Sequence, residues 1–201
     1  AQILMALGRY DEVADPIKSV LRATPVHALP SVLIGLPRSM GRITDRKAVA
    51  KVIEDATVPW REGKSALVEA WVADSEGWLM AGDANKAYRA LEGAMKLSPS
   101  HPGIGLIASE LMTSQPELEQ VVLQQLKTTP SDIVRLAYAR KLTAGQRLND
   151  AAEQLDVVVK NQPDNAQALL TLGAVRLELG QAQQGEATLR KLLTLKPAVD
   201  F

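Results

Sequence analysis

From Val68 the chain reads "VEAWVADSEGWLM", then "AGD", then "ANKAYRALEGAMKLSP". Apolar residues recur three and four apart in both runs, which predicts two helices that each bury one face. Gly82-Asp83 breaks the first run, and Pro99 stops the second by driving the residue before it out of the α region. The layout returns in "DIVRLAYARKLTAGQRLNDAAEQLDVVVKNQP" over 132–163, with Gly145 as the turn glycine, and in "AQALLTLGAVRLELGQAQQGEATLRKLLTLKP" over 166–197, with Gly180. Prolines close these units at 99, 130, 163 and 197, in steps of 31, 33 and 34 residues.

The same grammar organises the rest of the chain. In "ALGRYDEVADPIKSVLRATP", Gly8 is the turn and Pro25 the stop, so residues 1–7 are expected to be the tail of a first helix and the natural chain to continue upstream. Pro16 is expected to kink the second helix or to mark a start with Asp15 as N-cap. Residues 26–67 form a degenerate unit. Its helices are "HALPSVLIGLPRSMG", disturbed by Pro30 and Pro37, and "DRKAVAKVIEDATV", after which "VPWREGK" leads into the next helix. Residues 100–130 are a shortened unit in which Pro116 is expected to be the first helical residue of "PELEQVVLQQLKTT". The predicted order is a half unit over 1–25, then 26–67, 68–99, 100–130, 131–163 and 164–201, in one continuous array.

A helix–turn–helix period near 34 resembles the tetratricopeptide repeat. Trp71 stands at that repeat's fourth position and Trp78 at its eleventh; Ala87, Leu91 and Ala94 follow on the second helix. Asp74-Ser75 departs from the usual Leu-Gly. In the unit from Asp132, Tyr138-Ala139 hold those positions, with Ala151, Leu155 and Val158 after them. The last unit has Leu172-Gly173, but Gly185 in place of Ala and Arg176 in place of an aromatic. The resemblance implies an all-α fold, a right-handed superhelix of stacked antiparallel helix pairs, with at least eight helices and no sheet of three or more strands.

Composition narrows the chemistry. Lys plus Arg equals Asp plus Glu at 23 each, so nothing in bulk charge favours nucleic acid or an anionic membrane. There are no cysteines among the 201 residues, which removes disulfides and thiolate metal sites. No apolar run approaches the roughly 18 residues a membrane span needs, and "AQILMALGRY" lacks the basic start of a signal peptide. His27 and His101 are isolated from any metal-spaced cluster. "GIGLIA" at 103–108 follows no strand and lacks a downstream Lys-Ser/Thr, so it does not read as a phosphate loop. Glu117 and Glu119 read as a solvated helix face. No catalytic residue, cofactor or metal is expected.

What remains is a binding groove. By the resemblance, the first helix of each repeat lines a concave surface through Glu69, Val72, Glu76, Leu79 and Met80 in one unit. In the next good unit these positions are Ile133, Leu136, Arg140, Thr143 and Ala144. In the last they are Gln167, Leu170, Ala174, Leu177 and Glu178. The Lys, Asn and Arg that clamp an acidic chaperone terminus are missing, since only Arg140 is cationic there. The lining suits an extended or helical peptide with aliphatic anchors. Trp71 and Trp78, seven apart on one helix face, are either inter-helix core or a stacking platform for a ligand.

The expected function is a non-catalytic protein–protein interaction scaffold or adaptor; alternatives are packing of this face against another part of a longer protein, or the helical accessory region of a larger enzyme such as a repeat-containing transferase. "VRLAYARKL" and "NQPDNAQALLTLGAVRLELGQ" are similar to multi-repeat proteins of the Gram-negative envelope, among them outer-membrane lipoprotein adaptors of periplasmic carboxy-terminal processing proteases. That similarity implies a periplasmic or outer-membrane-associated protein, with a cytoplasmic one as the alternative. Self-association through the truncated N-terminal end is also expected.

Overall fold

The computed structural model describes residues 2–195, and every regular element among them is helical. The chain divides into two compact units between Ser114 and Gln115. The division falls inside the shortened unit over 100–130, so its two helices belong to different bodies.

The first unit holds α1 (Gln2–Ala6), α2 (Ala14–Ala23), α3 (Leu29–Ser39), α4 (Arg46–Thr57), α5 (Val68–Met80), α6 (Ala84–Leu97) and α7 (Pro102–Leu111). Single 3-10 turns lie at Tyr10–Glu12, Val58–Trp60 and Gly63–Ser65. α5 is the hub, packing on α3, α4, α6 and α7. Its buried Ala70 and Ala73 join a core with Val13, Leu21, Leu33, Ile53 and Trp60. The small residues let neighbouring helices approach closely, while the larger ones fill the gaps between pairs.

The second unit holds α8 (Leu118–Thr128), α9 (Asp132–Ala144), α10 (Leu148–Asn161), α11 (Ala166–Glu178) and α12 (Ala182–Thr194). Each helix packs on the next, from α9 onward as tight pairs. Ala139, Leu155, Val158, Ala168, Leu172 and Val175 form the core between α9, α10 and α11. Pro197 lies outside the described residues.

Both termini of the good pairs follow from local chemistry. Asp83 accepts a hydrogen bond from the Lys86 amide at 3.0 Å and Asn165 one from Ala168 at 3.0 Å, capping α6 and α11. α5 and α11 end on Gly82 and Gly180, both at φ 75°, with the Asp83 amide reaching the Trp78 carbonyl and Gln181 reaching Arg176. After α9 the same left-handed position falls on Gln146, φ 59°, and not on Gly145, because the pair is closed by Arg147 N–H on the Leu142 carbonyl.

Three proline expectations are corrected. Pro16 is the third residue of α2, where a missing N–H breaks no helical bond, so it neither kinks the helix nor makes Asp15 its cap. Pro116 sits in a turn closed by Leu118 N–H on the Gln115 carbonyl, and α8 begins two residues later. Pro30 lies in the first turn of α3; only Pro37 stands inside that helix, in its last turn.

Candidate functional site

In the second unit, α9 and α11 expose large apolar side chains; the first unit does so too, at Ile3, Leu7, Val20 and Val26 near its N-terminal end. α11 turns Ala168, Leu169, Leu172, Gly173 and Val175 inward. On its opposite face Leu170 is 56% exposed and Leu177 46%, with Ala174, Gln167 and Glu178 exposed beside them. Leu170, Ala174 and Leu177 are spaced i, i+4, i+7, so they form one stripe. α9 adds Ile133, 66% exposed, and exposed Arg140 and Ala144. Leu136 is different: it is partly buried against the core of that unit and belongs mostly to packing. Leu177 is only partly open because its side chain lies against Gly185 of α12, where an added Cβ would be 2.9 Å from it.

The corresponding face of the first unit is closed by its own contacts. Val72 is 3% exposed and presses on Gly103 of α7, where an added Cβ would lie 2.8 Å from it. Val72 therefore cannot line an open groove, a correction caused by the close approach of α7. Glu69 faces His101 Nε2 at 3.7 Å, and Glu76 faces Arg38 at 3.6 Å, so both carboxylates brace neighbouring helices. Burial raises the Glu76 pKa, with Arg38 opposing. Leu79 and Met80 are half-buried.

Trp71 is fixed from both sides. Its indole N–H donates to the Arg61 carbonyl at 2.8 Å, and the ring lies on Gly93, where an added Cβ would meet it at 2.5 Å. The Arg61 guanidinium sits 5.2 Å from the ring centre. The free edge opens on a cleft of about 490 Å³ with Arg89, Glu92, Lys96 and Leu97. Trp78 is 5% exposed, with Lys86 Nζ 3.7 Å from its ring centre. Geometry thus places both tryptophans in helix packing.

Sequence reasoning did not find the buried pair beside Trp71. Asp74 Oδ2 accepts from Arg61 at 2.8 Å, with side chains 4% and 11% exposed. Desolvation pushes the Asp74 pKa up to about 6 despite the nearby guanidinium. The available signal was the Asp itself, at a repeat position that normally carries Leu.

The remaining candidates are structural. His101 caps α7, its Nδ1 accepting from the Gly103 amide at 3.2 Å; His27 is exposed. "GIGLIA" is the packed interior of α7. Glu117 is exposed, whereas Glu119 accepts from Tyr138 Oη at 2.5 Å and Arg147 at 2.6 Å, tying α8 to α9 and the turn before α10. The Tyr138 hydrogen bond leads in lowering the Glu119 pKa. Among the described residues no group of three or more His, Asp or Glu could hold a metal ion, and no helix is long and apolar enough to cross a membrane.

These two bodies of paired helices define a class, the tetratricopeptide-repeat fold, and solved structures share it. MamA from AMB-1 superposes with a TM-score of 0.56 at 13% identity, over 96% of this chain and 95% of that one. YrrB, described as a TPR protein with an unusual peptide-binding site, gives 0.51 at 15% identity over 92% and 95%. A kinesin light chain-like protein of Podosopora anserina with nearly identical TPR-like repeats gives 0.57 at 15% identity over 84% and 94%. No family profile and no curated protein matches the sequence.

Proposed function

We propose that the chain is a non-catalytic protein-interaction scaffold whose partner seats on the α9–α11 face. One observation carries the reading: Ile133, Leu170 and Leu177 stand 66%, 56% and 46% exposed on helices whose other large apolar residues are buried or partly buried. An exposed apolar stripe on a soluble helix pair is costly to keep unless it meets a partner. The peptide-binding description of YrrB, which shares the fold, supports the same reading. Arg140 and Glu178 flank the stripe and would set register, while the aliphatic side chains supply most of the affinity. The location we infer is the bacterial envelope, periplasmic or outer-membrane-associated, on the strength of the repeat units over 132–163 and 166–197 alone.

A photo-reactive residue at Leu170, with one at exposed Glu153 of α10 as control, tests the surface in the native cell. Specific cross-links from Leu170 and none from Glu153 support the proposal. The reverse pattern removes it.

A further inference from the structure

The connector 58–67 joins α4 to α5; Trp60 and Leu67 anchor its two ends in the core, and between them Arg61 makes its side-chain hydrogen bonds to the helices. Its guanidinium donates to Asp74 at 2.8 Å and to the Glu54 carbonyl, and its own carbonyl accepts the Trp71 indole N–H at 2.8 Å. The Leu67 amide closes the connector on the Trp60 carbonyl at 2.8 Å. Arg61 Nε is buried and makes no hydrogen bond, and the Asp74 carboxylate is the opposite charge hydrogen-bonded to the guanidinium.

We propose that Asp74–Arg61 is a proton-operated latch: a solvent proton taken up by the Asp74 carboxylate frees Arg61, and with it the connector that walls the Trp71 cleft. A guanidinium cannot shed its own proton, and a buried charge without its partner is strongly disfavoured. Arg61 can leave for water because the residues after it, Glu62 to Ser65, are already exposed. Asp74 stays buried on α5.

The groups around Asp74 are consistent with this. From α4, Glu54 disfavours the carboxylate charge and Lys51 favours it. On its own helix the Trp78 indole favours the charge, and Lys86 of α6 is engaged over the Trp78 ring. From α3, Arg38 is engaged with Glu76. Burial is the largest influence and brings the carboxyl up to about 6, so the proton is taken just below neutrality. Coupling is reciprocal: Arg61 lowers the proton affinity of Asp74, so the proton weakens the hold on Arg61 by the same factor. Release moves Arg61, Glu62, Gly63 and Ala66, which form one side of the cleft.

Hydrogen exchange of the Leu67 amide and the Trp71 indole N–H, corrected for intrinsic rates, tests the latch at about pH 7.5 and about pH 5. Protection should drop about tenfold at the lower pH at both sites, while the Leu91 amide of α6, which opens only with the whole unit, loses none. Asp74→Asn should remove the pH dependence, and Arg61→Gln should leave both sites exchanging fast at either pH. His101→Gln should keep the wild-type response. Equal protection at both pH values, a pH response surviving in Asp74→Asn, or its loss in His101→Gln would overturn the proposal.

Discussion

Ser75 Oγ donates to the carbonyl of Ala87 at 2.6 Å, joining α5 to α6 through a fully buried hydroxyl. Repeats of this type place glycine at that crossing so the helices can touch. Here the hydroxyl fills the space and binds the facing backbone. Ser75→Ala should cost about 1 kcal/mol through the lost hydrogen bond. Ser75→Val, which adds bulk where none fits, should cost about 1–3 kcal/mol. Urea midpoints give both values, and a stable valine variant would show the crossing to be looser than described.

Trp71 and Gly93 form the second pair to test. Trp71→Ala removes a half-buried ring that covers α6 and should cost about 3 kcal/mol. Gly93→Ala pushes a methyl into that ring, which is backed by the Arg61 carbonyl contact, and should cost about 1–3 kcal/mol. If Trp71→Ala melted like the wild type, the ring would be a ligand platform and not packing.

The turn after α9 carries a misplaced left-handed residue. Gln146 pays a conformational cost of roughly 1–2 kcal/mol that glycine would not, while Gly145, at φ −86°, has room for a side chain. The double exchange Gly145→Ala with Gln146→Gly should therefore raise stability by about 1 kcal/mol. A lower thermal midpoint for the exchanged turn would contradict the backbone assignment.

Asp74 makes stability depend on pH with a defined sign. Its folded pKa, about 6, lies above the ordinary 3.8. The stabilising contribution is thus full below the ordinary value and is lost as pH rises through about 6. Glu76, also raised, acts in the same direction. Glu119, lowered, acts oppositely and only as pH falls through the ordinary carboxylate range. Between about pH 5 and pH 7 global stability should fall by on the order of 1 kcal/mol, and Asp74→Asn should flatten much of that slope. A midpoint that climbs over this interval would refute the assignment.

The helix pairs were legible because the physics that makes them is local. Apolar spacing and terminal prolines mark each helix, and the two runs read on either side of Gly145 in the unit over 132–163 are the helices α9 and α10. Gln146 was not legible because glycine at 145 satisfies the same turn pattern one residue early. Val72 was not legible as buried, since its burial depends on Gly103, thirty-one residues away and marked by no periodicity. The Arg61–Asp74 pair needed the fold of the connector, which no repeat position describes. On the proposed binding face, spacing alone could not separate Leu170 from Leu136; depth of burial does.

The most direct measurement is calorimetric binding of the cross-linked partner to the intact chain and to Ile133→Asp/Leu170→Asp, each with a thermal melt. Both side chains are exposed, so the melt should stay within the small range expected of surface changes, about 0.5 kcal/mol. Affinity should fall at least about tenfold, and wild-type binding should change little between low and moderate salt, because exposed ion pairs contribute only about 0–1 kcal/mol each. Undiminished binding by the folded double variant would contradict the account and move the interaction surface away from α9 and α11.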